Sequence, residues 1–302
     1  MLRRNWKKIL FALFFGLLFL VSVGIPYLLA VLVTRAGTRP MDLELTSSPA
    51  DYGLDFEEVE FPAGDGVRLS GWYLPGGSRS AAVVCAHGLF RSRREVLDRA
   101  AFFRQLGYDT LVFDFRRHGT SSGERVTLGY QERLDFDGAV AFLEARRPGA
   151  PIVLYGVSMG AAAAILSARE TPRVAAVIAD SPFGSIEETV VRHVQLFLGL
   201  PRFPFATSLL WFLEVRGGFD RRDFDVGRAA AALGDRPLLV VAGERDTRMP
   251  PDLQHRIFEA SPSPKSRFER FEGAGHGAAY RTDAERYQKL VEEFLGSAGL
   301  YP

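Results

Sequence analysis

The chain has a single cysteine in 302 residues, so no internal disulfide can staple it. Its five histidines are scattered, and no Cys/His cluster has zinc-ligand spacing. Charge of one sign is lacking too: 37 Lys and Arg against 36 Asp and Glu leave a net charge of +1, mixed along the chain. That balance provides no basic face, which excludes nucleic acid as a partner. No internal repeat and no low-complexity tract is visible, which excludes solenoids and arrays. Cys85 lies in the apolar run AAVVCAHG and reads as a small buried strand residue.

Charge is also absent from Ile9 to Val33, ILFALFFGLLFLVSVGIPYLLAVLV. A bilayer core needs about 20 apolar residues, so this run is long enough to cross one. Arg3, Arg4, Lys7 and Lys8 precede it, while only Arg35 and Arg39 follow closely. The positive-inside rule then puts the N-terminus in the cytoplasm and the rest of the chain outside it. A cleavable signal peptide would have a shorter apolar core and a small-x-small site, which Thr34-Arg35-Ala36 matches poorly. Residues 1–34 are therefore expected as a single-pass membrane anchor. Residues 35–54, with Pro40 and Pro49, are expected as a polar linker, and residues 55–302 as one domain.

Within the domain, FEEVEF and VRLSGWYL read as a hairpin. Afterwards short apolar runs alternate with helical stretches. The runs AAVVCAH, DTLVFDF, PIVLYG, VAAVIADSP and RPLLVVAG each hold a short continuous stretch of apolar residues, as expected of strands covered on both faces. This rhythm predicts an α/β fold with a mostly parallel sheet and helices on both faces. Ligands then bind outside the carboxyl ends of the strands. Residues 183–224 break the rhythm with Trp211 and many Phe and Leu, and Pro201 and Pro204 split the segment. A short helical cap over the site is expected there.

Gly156-Val157-Ser158-Met159-Gly160 has the form G-x-S-x-G between a strand and an alanine-rich helix. That context makes Ser158 a candidate nucleophile on a sharp turn. A serine hydroxyl needs an adjacent base. His276, in Gly273-Ala274-Gly275-His276-Gly277 after the last strand, is the candidate; His193 and His255 lie in helical stretches. The acid that orients the base is expected to be Asp246, with Glu244 and Asp180 as rivals. The oxyanion donors are expected to be the backbone N–H groups of Met159 and, in His87-Gly88-Leu89-Phe90, of Leu89. His87 is expected to shape that loop, and DFRRHGTS to lock a neighbouring one.

HGLFRSR, DFRRHGTSSG, GVSMG, DSPFGS, GERDTRMP and GAGHG, in that order over about residues 60–295, give the chain a resemblance to α/β-hydrolases. The nearest are the serine aminopeptidase-like or Bem46-like hydrolases with an N-terminal membrane anchor. The resemblance implies an acyl-enzyme that hydrolyses an ester, thioester or amide, with no metal or organic cofactor. Two departures stand out: Arg117 where the family commonly has glycine, and Thr247-Arg248-Met249 where small apolar residues are more usual. The apolar cap and the anchor favour a small acyl ester or a lipid-like one as substrate. A peptidase would need an acidic group to capture a peptide terminus, for which Glu187, Glu188 or Glu214 are placed near the cap. A thioesterase, or a binding protein that has lost catalysis, would keep the same fold.

Overall fold

A computed structural model describes residues 5–77 and 79–301. Its centre is an eight-stranded sheet. The strands are β1 (Glu57–Pro62), β2 (Arg68–Leu74), β3 (Ala82–Ala86), β4 (Asp109–Asp114), β5 (Ile152–Val157), β6 (Val174–Asp180), β7 (Leu238–Gly243) and β8 (Arg267–Phe271). Their spatial order is β1-β2-β4-β3-β5-β6-β7-β8. β1 and β2 form the expected antiparallel hairpin, β2 runs antiparallel to β4, and the remaining neighbours are parallel. Every residue of β3, β4, β5 and β7 is buried, which is why those runs are mostly apolar; the charged exceptions, Asp109 and Asp114 at the ends of β4, accept hydrogen bonds from Gly76 N–H and Arg93 N–H.

The chain opens with α1 (Trp6–Phe19), a π turn (Leu20–Gly24) and α2 (Ile25–Thr34), continuous as one 29-residue apolar helix. α1 has no buried residue. α2 buries Pro26, Ala30 and Thr34 against the domain. A short α3 (Pro40–Leu43) follows. The sheet is flanked by α4 (Leu97–Gln105), α5 (Glu132–Arg146) and α6 (Met159–Glu170). The cap consists of α7 (Ile186–Leu198), a π turn (Arg202–Ala206) and α8 (Thr207–Gly217). α9 (Val226–Ala231), α10 (Pro251–Ala260), α11 (Ala279–Thr282) and α12 (Ala284–Ser297) complete the fold.

One apolar core lies on each face of the sheet. α6 owes its alanines to close approach: Ala161 through Ala164 are fully buried between the sheet and its neighbouring helices.

Residues 35–54, expected as a linker, are bonded onto the domain. The Arg39 N–H donates to Phe90 O at 2.9 Å, and the Thr38 hydroxyl donates to Arg91 O at 2.8 Å. Thr38 Oγ1 in turn accepts the Gly119 N–H at 2.7 Å. The end of α2 is held likewise. Val126 N–H donates to Thr34 O at 2.9 Å, and Arg216 Nε donates to Thr34 Oγ1 at 2.9 Å. Of the four basic residues that precede the apolar run, Arg3 and Arg4 lie outside the described residues.

Candidate active site

β5 ends at Val157 and α6 begins at Met159, so Ser158 alone makes the turn. It does so with φ 54° and ψ −112°, a conformation that costs a non-glycine residue roughly 1–3 kcal/mol. Its neighbours explain how that is tolerated. A Cβ on Gly156 would lie 2.3 Å from the Gly160 carbonyl, and a Cβ on Gly160 would lie 2.7 Å from His87 O. Only glycine lets these backbones pass. The Ser158 N–H donates to Asp180 O at 2.8 Å, pinning the turn to the end of β6.

The loops after β5, β7 and β8 bring three of the expected residues together. The Ser158 Oγ–H donates to His276 Nε2 at 2.8 Å, and His276 Nδ1–H donates to Asp246 Oδ2 at 2.7 Å. A carboxylate only accepts, so Nδ1 holds the ring proton and Nε2 is left as an acceptor for the serine. Asp246 is buried, and its other oxygen accepts the N–H groups of Arg248 and Met249 at 3.0 and 2.9 Å. These bonds use backbone alone, so the unusual side chains in Thr247-Arg248-Met249 leave the loop intact.

The rival acids are engaged elsewhere. Glu244 accepts Gly273 N–H at 3.2 Å. Asp180 is fully buried, takes the Ser181 hydroxyl at 2.9 Å and the Tyr287 hydroxyl at 3.3 Å, and is pushed up in pKa by burial. His193 Nδ1 bonds to Thr189 O within α7, and His255 faces Glu259 on α10.

The two expected oxyanion donors flank the serine. Met159 opens α6, so its N–H is among the first-turn donors that a helix leaves without an internal acceptor. The Gly88–Leu89 loop approaches from the other side: a Cβ on Gly88 would lie 3.5 Å from Ser158 Cβ. His87 fixes this loop. Its Nδ1–H donates to Gly88 O at 2.7 Å, its Nε2 accepts Phe115 N–H at 3.1 Å, and burial keeps it neutral by lowering its pKa. With both nitrogens occupied, His87 has none free for proton transfer.

Sequence reasoning missed four supporting residues. Glu95, raised in pKa by burial, accepts Gly88 N–H at 2.7 Å and pairs with Arg91 at 2.9 Å. Gln254 Nε2 reaches Asp246 Oδ2 at 3.4 Å and Met249 O at 2.6 Å. Ser181 Oγ accepts Gly277 N–H at 2.9 Å and so steadies the His276 loop. Arg192 of the cap donates to Thr247 O at 2.8 Å and to Arg248 O at 3.0 Å, on the Asp246 loop. Only the i,i+4 spacing of Arg91 and Glu95 was visible in the sequence.

The DFRRHG loop is locked as expected. Asp114 accepts Arg93 N–H at 2.7 Å and Thr120 N–H at 3.2 Å. Arg117 adopts φ 63°, the backbone a glycine would take there, and its Nε donates to Arg35 O at 2.8 Å.

Comparison with known proteins agrees with this architecture. Residues 77–216 match the family model for serine aminopeptidase S33. An uncharacterized protein of Mycobacterium tuberculosis is 30% identical over 236 residues, covering 76% of each chain. The chain belongs to the α/β-hydrolase superfamily, in its serine aminopeptidase-like branch. An uncharacterized protein of Bacillus subtilis is 26% identical over 301 residues, covering 96% of this hydrolase and 97% of that chain. The solved structure of an esterase from Pyrococcus furiosus superposes with a TM-score of 0.71 at 27% identity, covering 87% of this chain and 98% of that one.

Proposed function

We propose that this hydrolase cleaves carboxylic esters through an acyl-enzyme formed on Ser158, with His276 as general base and Asp246 as its orienting acid. The observation that supports this most is the unbroken pair of hydrogen bonds, 2.8 Å from Ser158 to His276 and 2.7 Å from His276 to Asp246. His276 Nε2 removes the serine proton as Oγ attacks the carbonyl carbon. The N–H groups of Met159 and Leu89 take the oxyanion, the largest single contribution expected of such a site. His276 then protonates the leaving alkoxide, and water repeats the sequence to release the acid. Asp246 holds the imidazole in the required tautomer and stabilises the imidazolium.

Two observations favour an ester over a peptide. The structurally similar Pyrococcus furiosus protein is an esterase. Moreover, the acidic residues that could capture a peptide's amino terminus are already paired: Glu187 with Arg202, Glu188 with Arg256 at 2.6 Å, and Glu214 with Arg221 at 3.2 Å. The helix Trp6–Thr34 is read as the membrane anchor, with the N-terminus cytoplasmic and the domain outside. Cleavage of the domain by protease added to the cytoplasmic side of sealed vesicles would reverse that orientation.

A fluorophosphonate probe tests the chemistry. The full-length protein is expected to be labelled and Ser158→Ala is not. Absence of labelling in folded wild-type protein would overturn the hydrolytic reading.

A further inference from the structure

The cap and the N-terminal helix share one uncovered apolar surface. α7 and α8 form a V, bent by 120° where they meet. Around its apex Leu196, Phe197, Leu198 and Phe203 are exposed, and Trp211 and Val215 continue the exposed apolar side chains along α8, with Phe203 77% and Trp211 54% exposed. Exposed apolar side chains clustered in this way mark an interaction surface. The polar side of α7 borders it: Glu187, Glu188, Arg192 and Gln195 line an open groove with Arg256 and with Arg202, which pairs with Glu187 next to Phe203.

The position of the apex along the helix identifies what covers it. The apolar helix has 29 residues, more than the roughly 20 that a bilayer core needs. Counted from Lys8, about 20 residues at about 1.5 Å each end near Leu28. The cap meets the helix inside that interval. Phe203 and Pro204 face Phe15, Leu18, Phe19 and Ser22 across an apolar cleft of about 400 Å³. Further along, the rings of Tyr27 and Phe212 lie 5.3 Å apart, and Trp211 packs on Phe212 at 4.8 Å. Lipid that surrounds the middle of the helix must therefore also reach Phe203. Tyr27 and Trp211 sit where interfacial aromatics are expected, near the end of the apolar interval.

We propose that the cap apex is immersed in the acyl region of the membrane, and that the enzyme draws its ester substrate from that leaflet. The proposal rests on Trp6–Thr34 spanning the bilayer and on Ser158 acting as nucleophile. The cap is also tied to the site, because Arg192 of α7 grips the loop that holds Asp246. Seating of the cap in lipid and the setting of the acid are thus mechanically joined.

The full-length protein in phosphatidylcholine vesicles with brominated acyl chains tests immersion. The chain has three tryptophans, of which Trp72 is buried in the domain core. In Trp6→Phe protein, bromine is expected to remove the Trp211 emission; in Trp211→Phe protein it removes that of Trp6. Quenching of Trp6 without Trp211 would overturn the immersed cap while the anchor stands. Quenching of neither would remove the anchor and the proposal with it. For access, Phe197→Ser/Phe203→Ser protein is expected to lose hydrolysis of a long-chain ester dissolved in vesicles, while retaining hydrolysis of a short-chain soluble ester and fluorophosphonate labelling. Equal retention of both substrates would overturn the leaflet route. Loss of labelling in wild type would instead locate the failure in the serine.

Discussion

Asp246 differs from its rivals by contact rather than by type. Glu244, Asp246 and Asp180 all lie near the carboxyl ends of adjacent strands, yet only Asp246 touches His276, at 2.7 Å. Asp246→Asn is therefore expected to lower kcat by on the order of 10³–10⁴-fold, because an amide favours the wrong imidazole tautomer. Glu244→Gln, whose amide oxygen can still accept the Gly273 N–H, is expected to leave ester turnover within about twofold. Steady-state kinetics on a p-nitrophenyl ester decides between them. Gly160 is fixed by space. A methyl there would meet His87 O at 2.7 Å and Ala86 O at 2.8 Å, both backbone at the end of a buried strand. Gly160→Ala is expected to destabilise the fold by about 1–3 kcal/mol, read from the urea midpoint.

The loop after β4 shows how an element absorbs a departure from its family's pattern. Arg117 occupies a left-handed conformation that costs a side chain about 1 kcal/mol relative to glycine. Its bond to Arg35 O contributes a similar amount, about 1 kcal/mol, so the two effects nearly cancel. Arg117→Gly is thus expected to unfold at nearly the wild-type temperature, whereas Arg117→Ala keeps the strain, loses the bond and unfolds earlier. A thermal melt of the three proteins reads the order directly; Arg117→Ala melting above Arg117→Gly would contradict it. The arginine exchanges a relaxed loop for a grip on the stem of the N-terminal helix. This grip was not legible in the sequence, since 82 residues separate the partners.

At the scale of the whole molecule, His118 lowers stability in acid, while buried carboxyls with raised pKa values, Asp135 at about 7 above all, oppose it. Burial holds His118 neutral until about pH 4, whereas in an unfolded chain it takes a proton near ~6.5. The unfolded state binds more protons at this residue between those values, so its contribution to stability is complete above about pH 6.5 and falls as the pH drops toward 4. The loss is on the order of 3 kcal/mol for this residue. His87, lowered by burial in the same way, adds to it. Going from pH 7 to pH 4.5, the urea midpoint of wild type is expected to shift downward relative to that of His118→Leu, a difference that isolates this residue from the carboxyls. The parallel sheet, the hairpin before it and the apolar N-terminal helix were legible because each is written locally: buried strands as unbroken apolar runs, the helix as a long uncharged stretch. Ser158 was legible because its turn needs small residues on both sides within five positions. Arg192 and Gln254 were not, because each reaches the Asp246 loop from an element whose placement depends on packing. The meeting of cap and N-terminal helix has the same origin. Sequence alone determined that both are apolar; only the tertiary structure decided that they lie side by side, because the register between α2 and α8 is set by contacts between residues some 180 positions apart.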